Sequence, residues 1–159
     1  MIDVLGLWRW AGRLPAGTRA FSFLVARRAP YFGTIRPRFT VVEPHHVELV
    51  IPDRRRVHNH LGTVHAIALC NGLEAAMGAL AEASIPRDRR WIPRGMEVAY
   101  VARADGDVTC IAETDDGVWT GSQREVPVRV RGALADGTVV IEGVIRLWVT
   151  PRPGAFPRG

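Results

Sequence analysis

A chain of 159 residues is long enough to bury one sizeable core and short enough that one domain is the simplest partition. Apolar residues make up 47% and charged residues 23%, which excludes an intrinsically disordered chain. The net charge of +5 rests on 21 basic residues, every one of them arginine. They are scattered, with no aromatic-interleaved basic strand, helix-turn-helix spacing or zinc-finger pattern, so no nucleic-acid partner is expected. No stretch reads as the roughly eighteen continuous apolar residues of a membrane span, and no membrane partner is expected.

The apolar stretch Met1 to Trp10 has no basic leader and meets Arg9 too early for a signal peptide, so a cytoplasmic location is expected. Residues 1–29 read as helical: Ile2, Leu5 and Trp8, then Phe21, Leu24 and Val25, fall at helical spacings, broken by Leu14-Pro15-Ala16-Gly17. Pro30 closes this helical extension, assigned to residues 1–32. From Thr34 the period shortens. Ile35, Phe39 and Val41 suggest one strand, and Val47, Leu49 and Ile51 alternate in a second.

Leu61 to Ala83 is apolar on nearly every helical face, which predicts a helix wrapped by the rest of the protein. Gly72, Gly78 and the alanines keep it thin enough for close approach. After Ser84-Ile85-Pro86 the chain reads as strand. Met96, Val98 and Tyr100 alternate before the turn Ala104-Asp105-Gly106-Asp107. Val108, Cys110 and Ala112 precede a turn at Asp115-Asp116-Gly117. Val126, Val128 and Val130 alternate with Arg129 and Arg131, and Asp136-Gly137 signals a hairpin into Val139, Ile141, Gly143, Ile145 and Leu147. Two strands, an apolar helix and four hairpin-linked strands predict an α+β fold in which a curved antiparallel sheet wraps a central helix, the hotdog arrangement. This domain is placed at 33–150, with 151–159 as a tail. A sandwich with the helix on one sheet face is the alternative, and it should leave one helix face polar. Cys70 and Cys110 lie in apolar stretches and read as buried, reduced thiols.

The stretch Asn59 to Glu74 carries the chemistry. A carboxylate among alanines and leucines costs several kcal/mol to bury unless paired or protonated, and such a group suits general-base work. Free backbone N–H groups at a helix start near Gly62 to Ala66 can polarise a carbonyl oxygen. Here the chain resembles the hotdog-fold acyl-coenzyme A thioesterases of the phenylacetate-pathway type. It keeps their frame of Asn59, Gly62, His65 and an acid nine residues on, Glu74, while His-Gly-Gly becomes His65-Ala66-Ile67.

The resemblance implies that Glu74 activates water or attacks an acyl-coenzyme A thioester, and that the Ala66 N–H polarises its carbonyl. It further implies that Asn59 orients water or substrate, that Gly62 and Asn71 help bind substrate, and that two subunits share the site in a homodimer or a dimer of dimers. No cofactor is implied. Beside these roles stand structural ones. Glu74 could bond Asn71 one turn earlier, His65, a catalytic candidate for proton transfer, could instead cap or pack, and Asn59 could build a turn. Arg87, Arg89, Arg90 and Arg94 are candidate partners for the coenzyme's phosphates, against a solvated loop. His58-Asn59-His60 and His45-His46 lack a third ligand at recognisable spacing, so no metal is expected. Trp91, Trp119 and Trp148 read as core or interface aromatics. A non-catalytic acyl-ligand binder and a dehydratase-like enzyme remain as alternatives to the thioesterase.

Overall fold

Asp3 caps the first helix, its Oδ1 accepting from Gly6 N at 2.8 Å, and α1 runs Val4–Ala11. The chain turns at Ala16, which holds φ 60, into α2, Gly17–Arg28. A Cβ at Gly17 would lie 1.6 Å from the Ala11 carbonyl oxygen, so only glycine lets the two helices meet this closely. Trp8, Phe21 and Phe39 then stack edge-to-face, with centroids 5.0 and 5.3 Å apart. The buried Ser22 hydroxyl donates to Thr18 O and accepts from Phe39 N, tying α2 to the sheet. Pro30–Thr34 forms a 3₁₀ turn. These contacts come from a computed structural model that describes residues 3–120 and 124–152.

The strands are β1 Arg38–Glu43, β2 His46–Ile51, β3 Arg89–Tyr100, β4 Val108–Glu113, β5 Glu125–Ala133 and β6 Val139–Pro151. They make one antiparallel sheet in the order β1-β2-β4-β5-β6-β3. The expected run of four hairpin-linked strands is therefore corrected. β3 crosses to the far edge and pairs with β6, and the Ala104–Asp107 turn leads to β4 beside β2. Asp107 serves tertiary contacts instead of a hairpin, accepting from Arg38 at 2.7 Å and from Asp53 N at 2.7 Å.

The central helix, α3, runs Ala66–Ser84 and starts later than the apolar run suggested, since Leu61–Val64 belongs to the preceding loop. Leu69, Leu73, Met77 and Leu80 are buried against the sheet, each contributing roughly 1.5–3 kcal/mol of apolar burial. At Gly72 a Cβ would come within 2.4 Å of Ile51 Cδ1 and 2.7 Å of Cys110 Sγ, so the expected close approach to the sheet is present. α3 is long and apolar enough to cross a membrane by length and composition, yet 61% of that window is buried within the domain.

Wrapping on every side is corrected. Ile67 is 55% exposed, and Cys70, Glu74 and Gly78 are half-buried on the same stripe. The helix is apolar all round because the sheet covers one side and α1 and the 3₁₀ turn cover only part of the other. Cys70 is accordingly not a buried thiol: its Sγ meets Tyr100 Oη at 3.2 Å, whereas Cys110 is buried and burial pushes its thiol pKa up.

Two bulges reset side-chain parity. Arg94 bulges out of the β3–β6 ladder, so Trp91 and Pro93 share a face with Met96, Val98 and Tyr100. Thr40 does the same in β1, placing Val42 rather than Val41 in the core beside Phe39. β5 matches its pattern, with Val126, Val128 and Val130 buried between exposed Pro127 and Arg129.

Candidate active site

The loop that delivers the chain to α3 is built by Asn59. Its Oδ1 accepts from Leu61 N at 2.9 Å and Thr63 N at 3.2 Å, while Nδ2 donates to Thr63 Oγ1 at 3.0 Å. Its backbone N–H bonds Thr63 O, closing the turn over Gly62, which holds φ 78. Asn59 thus spends both polar atoms of its side chain on the turn, and Gly62 supplies a left-handed backbone with open space where a Cβ would stand. The turn is pinned from outside by Val64 N to Ala104 O at 2.8 Å and His65 N to Val57 O at 2.7 Å.

His65 is the N-cap of α3. Its Nδ1 accepts from Ile67 N at 3.0 Å, so Nε2 carries the proton in the neutral ring. Ala68 N and Leu69 N both bond His65 O. Of the first-turn amides, the Ala66 N–H alone has no partner among the described residues. An unspent amide at a helix N-terminus is able to donate to an anion.

Glu74 lies two turns on. It makes no hydrogen bond or ion pair among the described residues. The alternative of a bond to Asn71 is not realised, because Asn71 Nδ2 donates to Tyr31 O at 3.3 Å and Thr34 Oγ1 at 3.1 Å. Asn71 is buried and its Oδ1 has no partner. Glu74 borders a cavity of about 340 Å³ between α3, the N-terminal helices and β3, whose apolar lining includes Leu7, Leu24, Val25, Phe32, Met77 and Trp91. Glu82 lines it too, accepting from Trp91 Nε1 at 3.0 Å. Trp91 is thus a cavity wall, whereas Trp119 is buried core, donating to Thr114 Oγ1.

Glu74 and Ala66 do not meet within one chain. They stand eight positions apart on the helix, about 12 Å along the axis. Direct contact between the Glu74 carboxylate and the Ala66 N–H is out of reach over that distance.

Arg87, Arg90 and Arg94 have different neighbours. Arg87 lines a cleft with Asp3, Glu82 and Arg152, and Arg90 Nε donates to Thr150 Oγ1 at 3.2 Å. Arg94 lies over Trp148, 4.8 Å from the ring centroid, and the Arg89 carbonyl accepts from Arg152 Nε. His58 pairs with Asp53, and His46 with Glu48 and Glu113. Among the described residues no group of three His, Cys, Asp or Glu side chains could hold a metal ion.

A crystal structure from a structural-genomics programme is 39% identical to this chain over 94% of it and 99% of the other chain, with a TM-score of 0.82. A Pseudomonas aeruginosa protein of unknown function, described as a "Probable Thioesterase", is 23% identical over 87% of this chain and 97% of its own, at TM-score 0.74. A thioesterase family protein from Silicibacter pomeroyi is 18% identical over 82% and 96%, at TM-score 0.69. Among curated proteins nothing matches. The family model described as a domain of unknown function, DUF4442, matches residues 17–149, so this hotdog-fold chain belongs to that family.

Proposed function

We propose that the protein hydrolyses an acyl-coenzyme A thioester at a site completed by two copies of the chain. The observation that carries this reading is the pairing of an unspent amide, Ala66 N–H, with an unspent carboxylate, Glu74, on one open stripe of α3. Their separation suits an antiparallel helix pair. A two-fold axis near Cys70, midway between them, sets Ala66 of each copy against Glu74 of the other. The β3 edge continues that face, with Tyr100 53% exposed and in contact with Cys70. An edge this apolar is suited to pairing with its symmetry mate.

In this arrangement Glu74 takes a proton from water as the water oxygen bonds the thioester carbon. The carbonyl oxygen becomes an oxyanion held by Ala66 N–H of the opposite subunit. Collapse breaks the carbon–sulfur bond, and the departing thiolate takes the proton back from Glu74, releasing acid and coenzyme A. Direct attack by Glu74, followed by hydrolysis of the anhydride, uses the same groups. The apolar cavity beside Glu74 is of the size that encloses a small ligand and would take the acyl group. Asn59 and His65 act as positioning residues, fixing the loop and the helix start that aim the amide. Neighbours described as thioesterases share the fold, which supports the reading.

A non-catalytic acyl binder is the second reading. Ile67, branched and 55% exposed, adjoins Ala66 where backbone must approach the substrate. Turnover of a chain-length panel of acyl-coenzyme A esters, followed with a thiol reagent, separates the two. Glu74→Gln should lower kcat by about 10²–10⁴-fold. Because Glu74 has no partner to lose among the described residues, the unfolding midpoint should hold. Wild-type turnover in Glu74→Gln removes it from the chemistry, and binding without turnover in the native protein establishes the binder.

A further inference from the structure

Other arginines share one cleft. A cleft of about 830 Å³ opens between α2, the segment that follows the 3₁₀ turn, and the loop after β2. Arg19, Arg27, Arg36, Arg38 and Arg54 line it, no carboxylate does among the described residues, and Phe23 stands in it 64% exposed. Among the described residues only Arg38 of the five has an ion-pair partner, Asp107 at 2.7 Å. Like charges gathered this closely repel one another, and a bound anion relieves that repulsion.

Arg54, less exposed than the other four, gives the cluster a fixed member. Arg54 is anchored by Nη2 donating to Ile35 O at 2.7 Å, while its Nε is buried with no partner. Burial, then Arg36, Arg56 and Arg38, lower the Arg54 guanidinium pKa, the signature of a cation short of counter-charge. Arg36 holds φ 47, a left-handed conformation unusual for a side chain of this kind, at the bend that turns the chain into β1.

We propose that this cleft binds the phosphorylated nucleotide end of a thioester-carrying coenzyme, with the guanidinium groups on phosphate oxygens and Phe23 stacked on the base. Arginine forks match phosphate geometry, and one exposed aromatic ring supplies one stacking surface. The cleft holds a ligand of one-nucleotide size, not a polymer track. Its position also fits. The segment Tyr31–Arg36 separates it from the α3 start: Tyr31, Thr34 and Ile35 face a small cleft with His65 and Ile67, while Gly33 and Arg36 face the arginines. Arg56 lies on the helix side of that divide, where the pantetheine arm would pass. The assignment rests on the acyl-coenzyme A reading, and its test is separable from it.

The probe is adenosine 3′,5′-bisphosphate, titrated calorimetrically into the full chain and into the variant Arg19→Gln, Arg27→Gln, Arg36→Gln. All three side chains lie on exposed residues and outside the core. Binding should be at least about tenfold weaker in the variant, from the loss of several charge-assisted hydrogen bonds. Phe23→Ala should weaken it too, by about 5- to 100-fold. In kinetics the triple variant should raise KM for acyl-coenzyme A while leaving kcat/KM for the acyl-N-acetylcysteamine ester, which lacks the nucleotide, unchanged. Failure of the native protein to bind the bisphosphate at millimolar concentration overturns the inference even if hydrolysis proceeds. So does equal binding by the variant, or far tighter binding of a ten-nucleotide single strand. Bisphosphate binding that the variant loses, with no hydrolysis in either protein, sustains the nucleotide site and removes the catalytic reading alone.

Discussion

Ala66 occupies the first helical position of α3, and its N–H is the donor on which the proposed chemistry depends. Proline at this position deletes that one proton. It is tolerated there because the first N–H has no intrahelical role and the ring's φ suits a helix start. The preceding residue cooperates: His65 holds φ −66 and ψ 138, the extended conformation that proline imposes on its predecessor. No hydrogen bond among the described residues uses the Ala66 amide, so Ala66→Pro should break none. Stability should change by less than about 1 kcal/mol in either direction, with reduced unfolded-chain entropy favouring a small gain. Turnover should fall about 10²–10³-fold, equivalent to about 2.7–4 kcal/mol of transition-state stabilisation. The assay pairs steady-state hydrolysis of acyl-coenzyme A with thermal unfolding, and Ala66→Gly serves as a control that keeps the proton. Turnover within threefold of wild type, in a variant that unfolds normally, would place the carbonyl oxygen somewhere other than this helix start.

A Cβ at Gly143 would sit 2.0 Å from the Glu97 carbonyl oxygen, a backbone atom that cannot swing away. Gly143→Ala should therefore cost about 3 kcal/mol in denaturant unfolding, while Gly95→Ala, which meets nothing within 4 Å, should stay within about 0.5 kcal/mol. Native protein should take up maleimide at Cys70 and not at the buried Cys110. A short bis-maleimide should then link two chains, with Cys70→Ser abolishing the link. Absence of the linked species would contradict a two-fold axis at the middle of α3.

Much of this architecture was legible because burial leaves a period. β5 and β6 show alternation because one face meets the core and the other meets water, and α3 shows an apolar run because most of it is enclosed. Strand partners leave no such trace. A turn such as Ala104–Asp107 says that the chain bends, not which strand it reaches, so the crossing that carries β3 to the far edge was misread as a hairpin. The bulges at Thr40 and Arg94 shift parity by one residue without any marker in composition. The site divides in the same way. Asn59, Gly62 and His65 stood out, and the structure gives each a definite backbone task. The gap between Ala66 and Glu74 follows from helix rise alone. The arginine cleft was not readable, because its members come from α2, the bend before β1, β1 itself and the loop after β2. The contiguous run Arg87 to Arg94 attracted notice instead, and Arg87, Arg90 and Arg94 meet different neighbours.

A site that takes its amide from one chain and its carboxylate from another has a consequence no one-chain site shares. Glu74→Gln retains a good amide, and Ala66→Pro retains a good carboxylate. In a mixed dimer one site combines Ala66 of the first variant with Glu74 of the second and is wild type, while the other carries both lesions. Equal amounts of the two inactive proteins, unfolded and refolded together, give half mixed dimers. Each of these has one working site of two, so activity should return to about a quarter of the wild-type rate. Either variant refolded alone should remain inactive, and the recovered activity should co-purify with dimers carrying two different affinity tags. Doubly tagged dimers that stay inactive would show that amide and carboxylate serve the same chain or no common reaction. The expected quarter, by contrast, cannot arise from contamination by either parent. It requires that α3 of one subunit reach the reacting centre from the side opposite α3 of its mate.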